Sequence, residues 1–275
     1  MKHTRVEAFT AAHARAVIRT ATASDDKYSR GVVALRTGSL TYPGAAVLGV
    51  EGAWRAGAGL VRYIGSASAL VLARRPETVT TGGCCDAWVV GSGQTRQDAL
   101  EAGTTELLTG STPVVADAGA LELVVTPQAL TVITPHTGEF ARLAQHHGMS
   151  LTGDVASDVA NMATELGAVV VLKGAQTFIS APRADQSWCV TVETPWLSTA
   201  GTGDVLAGMI GAVIAQARPT THLAAAQAAA TGVFLHSRAG ALAANRGSVT
   251  PHPIVAMDVA DAAPGAVAAV LNGEA

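Results

Sequence analysis

The chain has 275 residues, 49% of them hydrophobic and only 14% charged, which supplies ample material for a packed core and excludes a disordered chain. Its net charge is −3 and Lys and Arg form no run, so the basic patch that a nucleic acid or membrane surface requires is missing. Any anionic ligand must be held by local backbone amides and a few placed cations. Cys84, Cys85 and Cys189 lack metal-ligand spacing and read as reduced thiols of a cytoplasmic protein.

The N-terminal stretch carries charge throughout and shows no signal peptide, and the longest apolar run, Val205 to Ala217, is too short to span a bilayer. A soluble, cytoplasmic protein is expected. From there, short β-branched runs alternate with longer helical ones. In chain order the pattern predicts a strand over 32–36, a helix over 44–57 and strands over 60–64 and 87–90. A helix over 95–108 and strands over 113–116 and 131–133 follow, then helices over 138–147 and 154–166 and a strand over 168–172. The β-rich runs 176–180 and 188–194 flank a short polar turn and read as a hairpin, and helices over 205–217 and 222–244 come last. Strands alternating with helices imply an α/β fold: a central, mostly parallel sheet flanked by helices on both faces, with a small β-hairpin, in a single domain over 1–275.

Polar or glycine-rich turns follow the predicted strands at their C-terminal ends: Gly38-Ser39, Gly91-Ser92-Gly93, Asp117-Ala118-Gly119, Thr134-Pro135-His136 and Lys173-Gly174. Open α/β sheets bind ligands along that edge. The sharpest signal is the run from Thr199 to Gly208. Gly201, Thr202 and Gly203 can turn successive N–H groups into one concavity, and the helix starting near Val205 adds its positive end, which makes an anion hole. Gly208 and Gly211 permit close approach of a neighbouring element. Asp204, a carboxylate where anions are welcome, is placed either to take a proton from a substrate hydroxyl or to cap the helix.

This run resembles the signature of the ADP- or ATP-dependent NAD(P)H-hydrate dehydratases, which belong to the ribokinase-like superfamily. Further segments match in order: Gly38-Ser39 with Tyr42 to Leu48, Ala56 to Val61, Val90 to Gly93, Thr134 to Glu139 and Lys173 to Thr177. The resemblance covers about 27–258. It departs at Gln94-Thr95, where the family has a third glycine, and at Gly119, where the family commonly has Asp.

The resemblance implies a ribokinase-like fold and a repair reaction on the S-form of NADH or NADPH hydrate. The nucleotide, ADP or ATP, phosphorylates the ring hydroxyl, and loss of phosphate restores the dinucleotide. Asp204 would be the base, with Ala45, Ala46, Gly93 and His136 against the hydrate. Lys173, Gly174, Ala175, Gln176, Thr177 and Gly203 would meet the nucleotide. The resemblance also implies Mg²⁺, for which Glu139 is a candidate partner through water, and a homotetramer. No fused epimerase domain of the kind found in bifunctional relatives is expected.

Some residues keep a plainer reading. Thr134 or Thr137 would cap the helix that Glu139 begins, with Glu139 meeting its first-turn amides. Gly44, Ala45 and Ala46 could serve helix–sheet packing, and an isolated Lys173 could be a surface residue. Trp196 is a possible neighbour of adenine or substrate, and the other histidines, including His3 and His236, read as surface or packing residues. The alternative function is a ribokinase-like small-molecule kinase for a sugar or vitamin precursor. Leu197-Ser198-Thr199 lacks the Asp-Thr pair of the sugar kinases, and Asp204 stands where thiazole and pyrimidine kinases tend to carry Cys. A non-catalytic nucleotide-binding module would need the anion turn but not Asp204.

Overall fold

The computed structural model describes residues 5–248 and 250–274, so His3 lies outside the described residues. Strands β1 (Arg5–Ala8), β2 (Val32–Arg36), β3 (Leu60–Tyr63), β4 (Ala87–Val90), β5 (Val114–Ala116), β6 (Thr131–Ile133), β7 (Val169–Leu172), β8 (Gln176–Ser180) and β9 (Gln186–Thr191) form one nine-stranded sheet. Their order is β1-β9-β8-β7-β6-β5-β4-β2-β3. All pairings are parallel except those of β8 with β7 and β9. The predicted hairpin is therefore no separate appendage. It continues the main sheet, and β1 extends it by pairing with β9.

The connecting helices are α1 (Ala11–Val17), α2 (Gly44–Arg55), α3 (Ser68–Arg74), α4 (Arg96–Glu101), α5 (Thr104–Leu108), α6 (Thr137–His146), α7 (Val155–Leu166), α8 (Thr202–Ala217), α9 (His222–Ala244) and α10 (Ala256–Asn272). Strand side chains alternate between two cores, as the pleat demands. Val33, Leu35, Val89, Val115, Val169 and Val171 pack with α2, α8, α9 and α10. Val90, Val114, Ala116, Ile133, Val170 and Leu172 pack with α6 and α7 on the opposite face. Both faces are covered, so the central strands read as continuous apolar runs.

The helix expected over 95–108 is two helices, because Gly103 takes a left-handed conformation (φ +75°) that ends α4 and starts α5. Neither β1, α1, α3 nor α10 is predicted from local pattern. The α10 segment carries Pro264 and no strongly polar face, yet Ala256, Val259, Ala260, Ala263, Ala266 and Val270 bury one side of it. No helix among the described residues is long and apolar enough to cross a membrane.

One packing feature positions the functional edge. Helices α2 and α8 meet backbone to backbone: a Cβ at Gly208 would overlap the Gly49 carbonyl oxygen and lie 3.1 Å from Ala53 N, and a Cβ at Gly52 would overlap the Val205 carbonyl. A Cβ at Gly211 would overlap Val89 of the sheet. The N-termini of both helices are thereby fixed side by side over the strand tips.

Candidate active site

The strands β7, β6, β5, β4 and β2 are neighbours in the sheet, so the turns that follow them stand in a row. The glycine run closes this row from above. Gly201 adopts φ +86° and occupies the N-cap of α8, which begins at Thr202 rather than Val205. Asp204 therefore lies in the first turn and does not cap the helix. The first-turn N–H groups have no acceptor within a helix and point outward from its positive end. Thr202 pins the turn from below, its hydroxyl donating to the carbonyls of Leu197 and Thr199, 2.9 Å each. Behind it His236 is buried, with Nε2 2.9 Å from Thr202 O. A carbonyl only accepts, so Nε2 carries the proton. Burial pushes this imidazole down to about 4, so it stays neutral at pH 7. His236 is thus a support of the anion turn, a role that no spacing in the sequence announces.

The centre of the site is a buried ion pair. Lys173 Nζ lies 2.8 Å from Asp117 Oδ1, with the lysine side chain 21% exposed, so the surface reading of Lys173 does not hold. Asp117 also accepts from Ser92 Oγ at 3.0 Å and Thr134 Oγ1 at 2.7 Å. Burial alone would raise the Asp117 carboxyl, but Lys173 and the two hydroxyls outweigh it and hold the group below its usual range. Burial likewise opposes the charge on Lys173. Asp117, Glu139 and Asp204 outweigh it and hold the lysine above its usual range. The sequence marks Asp117 as part of a turn but gives it no partner. Its role becomes visible only when β4, β5, β6 and β7 lie side by side.

Asp204 is the one carboxylate of this group without such compensation. Desolvation, then the negative charge of Asp117, raise it from 3.8 to about 6, against a lowering by Lys173. A base of that strength is half-protonated near pH 6 and ready to accept a proton at pH 7. The surrounding charges make two substitutions diagnostic. Lys173→Gln removes the lowering influence and should move the acidic limb of the pH–rate profile upward from about 6. Asp117→Asn removes a raising influence and releases the lysine toward Asp204, so the limb should move down. Initial rates across pH 4.5–8.5 check both signs.

His136 and Glu139 take a different arrangement from the Thr134 or Thr137 cap. Thr134 serves Asp117, and His136 itself is the N-cap of α6. Its Nδ1 accepts from Gly138 N at 3.0 Å, while His136 N donates to Glu139 Oε2 at 2.9 Å. Because Nδ1 is an acceptor, Nε2 is the ring's donor; it lies 3.5 Å from Glu139 Oε2, and the side chain is 56% exposed. An isolated bridge between His136 and Lys173 keeps the two together beyond the ends of β6 and β7.

Ala45, Ala46 and Gly93 form a second cluster beside Gly38. A Cβ at Gly93 would overlap the Ala45 methyl and lie 3.3 Å from Gly38 Cα, and one at Gly38 would lie 2.9 Å from the Ala46 Cβ. On the α8 side, a Cβ at Gly201 would lie 2.6 Å from Leu48 Cδ1 of α2 and 3.8 Å from Asp204 Oδ2, and one at Gly49 of α2 would lie 3.7 Å from Asp204 O.

The Lys173 to Thr177 segment is a tight turn between β7 and β8. Thr177 is buried and its hydroxyl donates to Gly174 O at 3.1 Å, so that hydroxyl closes the turn. Gln176 is exposed and lines a cavity of about 490 Å³ with Val6, Phe178 and Cys189, away from Asp204. A cavity of about 460 Å³, lined by Pro195, Trp196, Ser198, Thr199, Pro253 and Ile254, adjoins the glycine run. Trp196 is thus brought to the site's border.

The fold of the chain is that of a ribokinase-like superfamily protein from Enterococcus faecalis, whose structure superposes with a TM-score of 0.83 at 23% identity over 96% of both chains. Residues 33–260 match the model of the NAD(P)H-hydrate dehydratase family, and the chain belongs to that family. It is 42% identical over 232 residues to a bifunctional NAD(P)H-hydrate repair enzyme of Mycobacterium leprae, covering 80% of this chain and 47% of that one. The chain thus spans about half the length of the curated bifunctional relatives it matches. It is 33% identical over 268 residues to an ADP-dependent (S)-NAD(P)H-hydrate dehydratase of Xanthomonas campestris, covering 88% and 90% of the two chains. The crystal structure of a Bacillus subtilis ADP/ATP-dependent NAD(P)H-hydrate dehydratase, co-crystallized with ATP/Mg²⁺, superposes with a TM-score of 0.82 at 26% identity, covering 98% of this chain and all of that one.

Proposed function

We propose that this chain dehydrates the S-form of NADH or NADPH hydrate at the expense of ADP, with ATP as the alternative co-substrate, and releases NAD(P)H, phosphate and AMP (or ADP). Asp204 carries the reading: it is a half-buried carboxylate, raised to about 6, in the first turn of an amide-rich helix start. Hydroxide is a poor leaving group. Asp204 takes the proton of the ring hydroxyl as its oxygen attacks the terminal phosphoryl group, and the bond to the bridging nucleotide oxygen breaks. The C–O bond then breaks with departure of phosphate, and the ring double bond returns as a proton is lost. The amides of Gly201, Thr202 and Gly203 and the charge of Lys173 stabilise the transferring group, which suits a reaction governed by positioning and electrostatics.

Ala45, Ala46, Gly93 and His136 would face the hydrate, with the His136 Nε2–H as a donor. Gly174, Ala175, Gln176 and Thr177 would meet the nucleotide through their backbone, since the Thr177 hydroxyl is engaged in the turn. Among the described residues there is no group of three or more acidic, His or Cys side chains that could hold a metal ion. Glu139, whose Oε2 already accepts from His136 N, would hold through water an Mg²⁺ brought by the nucleotide phosphates, as hard cations take oxygen ligands and retain their waters. Asp117 is excluded as its partner by Lys173. The metal would neutralise phosphate charge. We further propose a single ribokinase-like domain, cytoplasmic and homotetrameric, with light scattering as the check on assembly.

The test is incubation with chemically hydrated NADH and ADP or ATP in turn. Recovery of reduced-nicotinamide absorbance with stoichiometric free phosphate supports the proposal. A stable phosphorylated product without that recovery would point instead to the small-molecule kinase.

A further inference from the structure

The turn after β4 carries Gln94-Thr95, and the segment after β5 carries Gly119. The structure joins these two sites. A Cβ at Gly119 would overlap Gln94 O and lie 2.5 Å from both the carbonyl carbon and oxygen of Thr95. Those are backbone atoms and cannot rotate away. Thr95 cannot easily yield, because it is the N-cap of α4: its hydroxyl accepts from Asp98 N at 3.1 Å, and its N–H donates to Asp98 Oδ2 at 2.9 Å. The capping Thr95 starts α4 at Arg96 and holds its backbone against position 119, where only a glycine leaves room.

The position of this turn matters to the pocket. Gln94 N donates to Gly91 O at 3.0 Å, and Gln94 Nε2 reaches across to Gly38 O at 3.2 Å, tying the β4 turn to the β2 turn. The adjacent Gly93 lies against Ala45 and Gly38. Gln94 also walls a groove of about 450 Å³ together with Arg36, Gly38, Ser39, Leu40 and Ile64.

We propose that Gly119 is a positioning residue for the dinucleotide, acting through the Gln94-Thr95 turn, and that Gly119 and Thr95 are a matched pair which sets where Gly93 stands against Ala45 and Gly38. The proposal rests on the dinucleotide reading of the site. A side chain at 119 pushes the turn outward, displaces Gly93 and Gln94 toward Ala45 and Gly38, and narrows the space for the hydrate. The atoms such a side chain meets first belong to the Gln94-Thr95 turn, not to the turn of Lys173 or the start of α8.

The test uses the full chain with NADH and ADP as separate binding probes, alongside thermal melts. Gly119→Ala should weaken NADH by about tenfold and leave ADP within about twofold, the scale expected when a pocket wall is overpacked. Adding Thr95→Gly, which removes the cap and frees the turn to move aside, should recover most of the NADH affinity. Unchanged NADH affinity in Gly119→Ala overturns the proposal. So does an equal loss for both probes together with a lower melting temperature, which is what a merely structural role gives. A double variant that loses more than Gly119→Ala alone overturns the pairing. If the unsubstituted chain fails to turn over hydrate yet binds NADH with this pattern, the dehydratase reading falls and the matched pair stands. If it binds no dinucleotide at all, both fall.

Discussion

The Asp204→Asn variant is expected to lose roughly 10²–10⁴-fold in turnover, the usual worth of a positioned general base, and yet to unfold at a higher temperature than the parent chain. Both effects follow from burial. The carboxyl is raised from 3.8 to about 6 first by desolvation and then by Asp117. Its folded-state value therefore lies above its unfolded one, and the native state holds the proton more tightly. The stabilisation this gives is complete below about pH 4 and is lost as pH rises through about 6. At pH 7 the ionised carboxylate costs the fold on the order of 2 kcal/mol, which an uncharged amide of the same shape does not incur. Nucleotide affinity should survive, since the amides of Gly201, Thr202 and Gly203 belong to the backbone. Turnover, melting temperature at pH 5 and pH 7, and nucleotide titration check the three parts. The stability gain should shrink toward pH 4. Undiminished turnover rejects the base role, whereas a lower melting temperature at pH 7 rejects the desolvated carboxylate.

The second large effect is expected at Gly208→Ala. Its new methyl would overlap the Gly49 carbonyl oxygen and lie 2.9 Å from the carbonyl carbon, so α2 and α8 must separate. Overpacking a fully buried contact of this kind costs about 3 kcal/mol. The consequence extends beyond stability, because α2 carries Ala45 and Ala46 and α8 carries Asp204 at their N-termini. Separation of the helices displaces both sides of the site at once, and the KM values for hydrate and nucleotide should rise together. Gly265→Ala in α10 is the control. A Cβ there meets nothing closer than Leu242 Cδ1 at 3.6 Å, and alanine at an exposed helical position should be neutral or gain up to about 1 kcal/mol. Paired melts and steady-state kinetics on the two variants check the contrast.

The strands were legible where β-branched runs are short and bounded by turn residues. Val32–Arg36, Ala87–Val90 and Thr131–Ile133 are predicted to the residue, as is the helix His222–Ala244. Local pattern fails where a partner supplies the stability. Strand β1 is short and mostly exposed and exists through its pairing with β9. Helix α10 contains a proline and is held by its buried face. Gly103 looks like a tolerable helical glycine until its left-handed backbone divides the helix.

By itself the sequence determined the alternation of strands and helices, the row of turns along one sheet edge and the amide-rich start before Asp204. Those features are local: each is written in a few consecutive residues whose backbone preferences and hydrogen-bonding groups act within a turn or two. Tertiary structure alone decided that Asp117 belongs to Lys173, that His236 supports Thr202, that His136 rather than a threonine caps α6, and that Gly119 answers to Thr95. Each of these joins segments, or selects among neighbouring donors and acceptors, according to how strands are ordered and helices packed. Burial, which turns Asp204 from an ordinary carboxylate into a base near 6, exists only once those segments have closed around it.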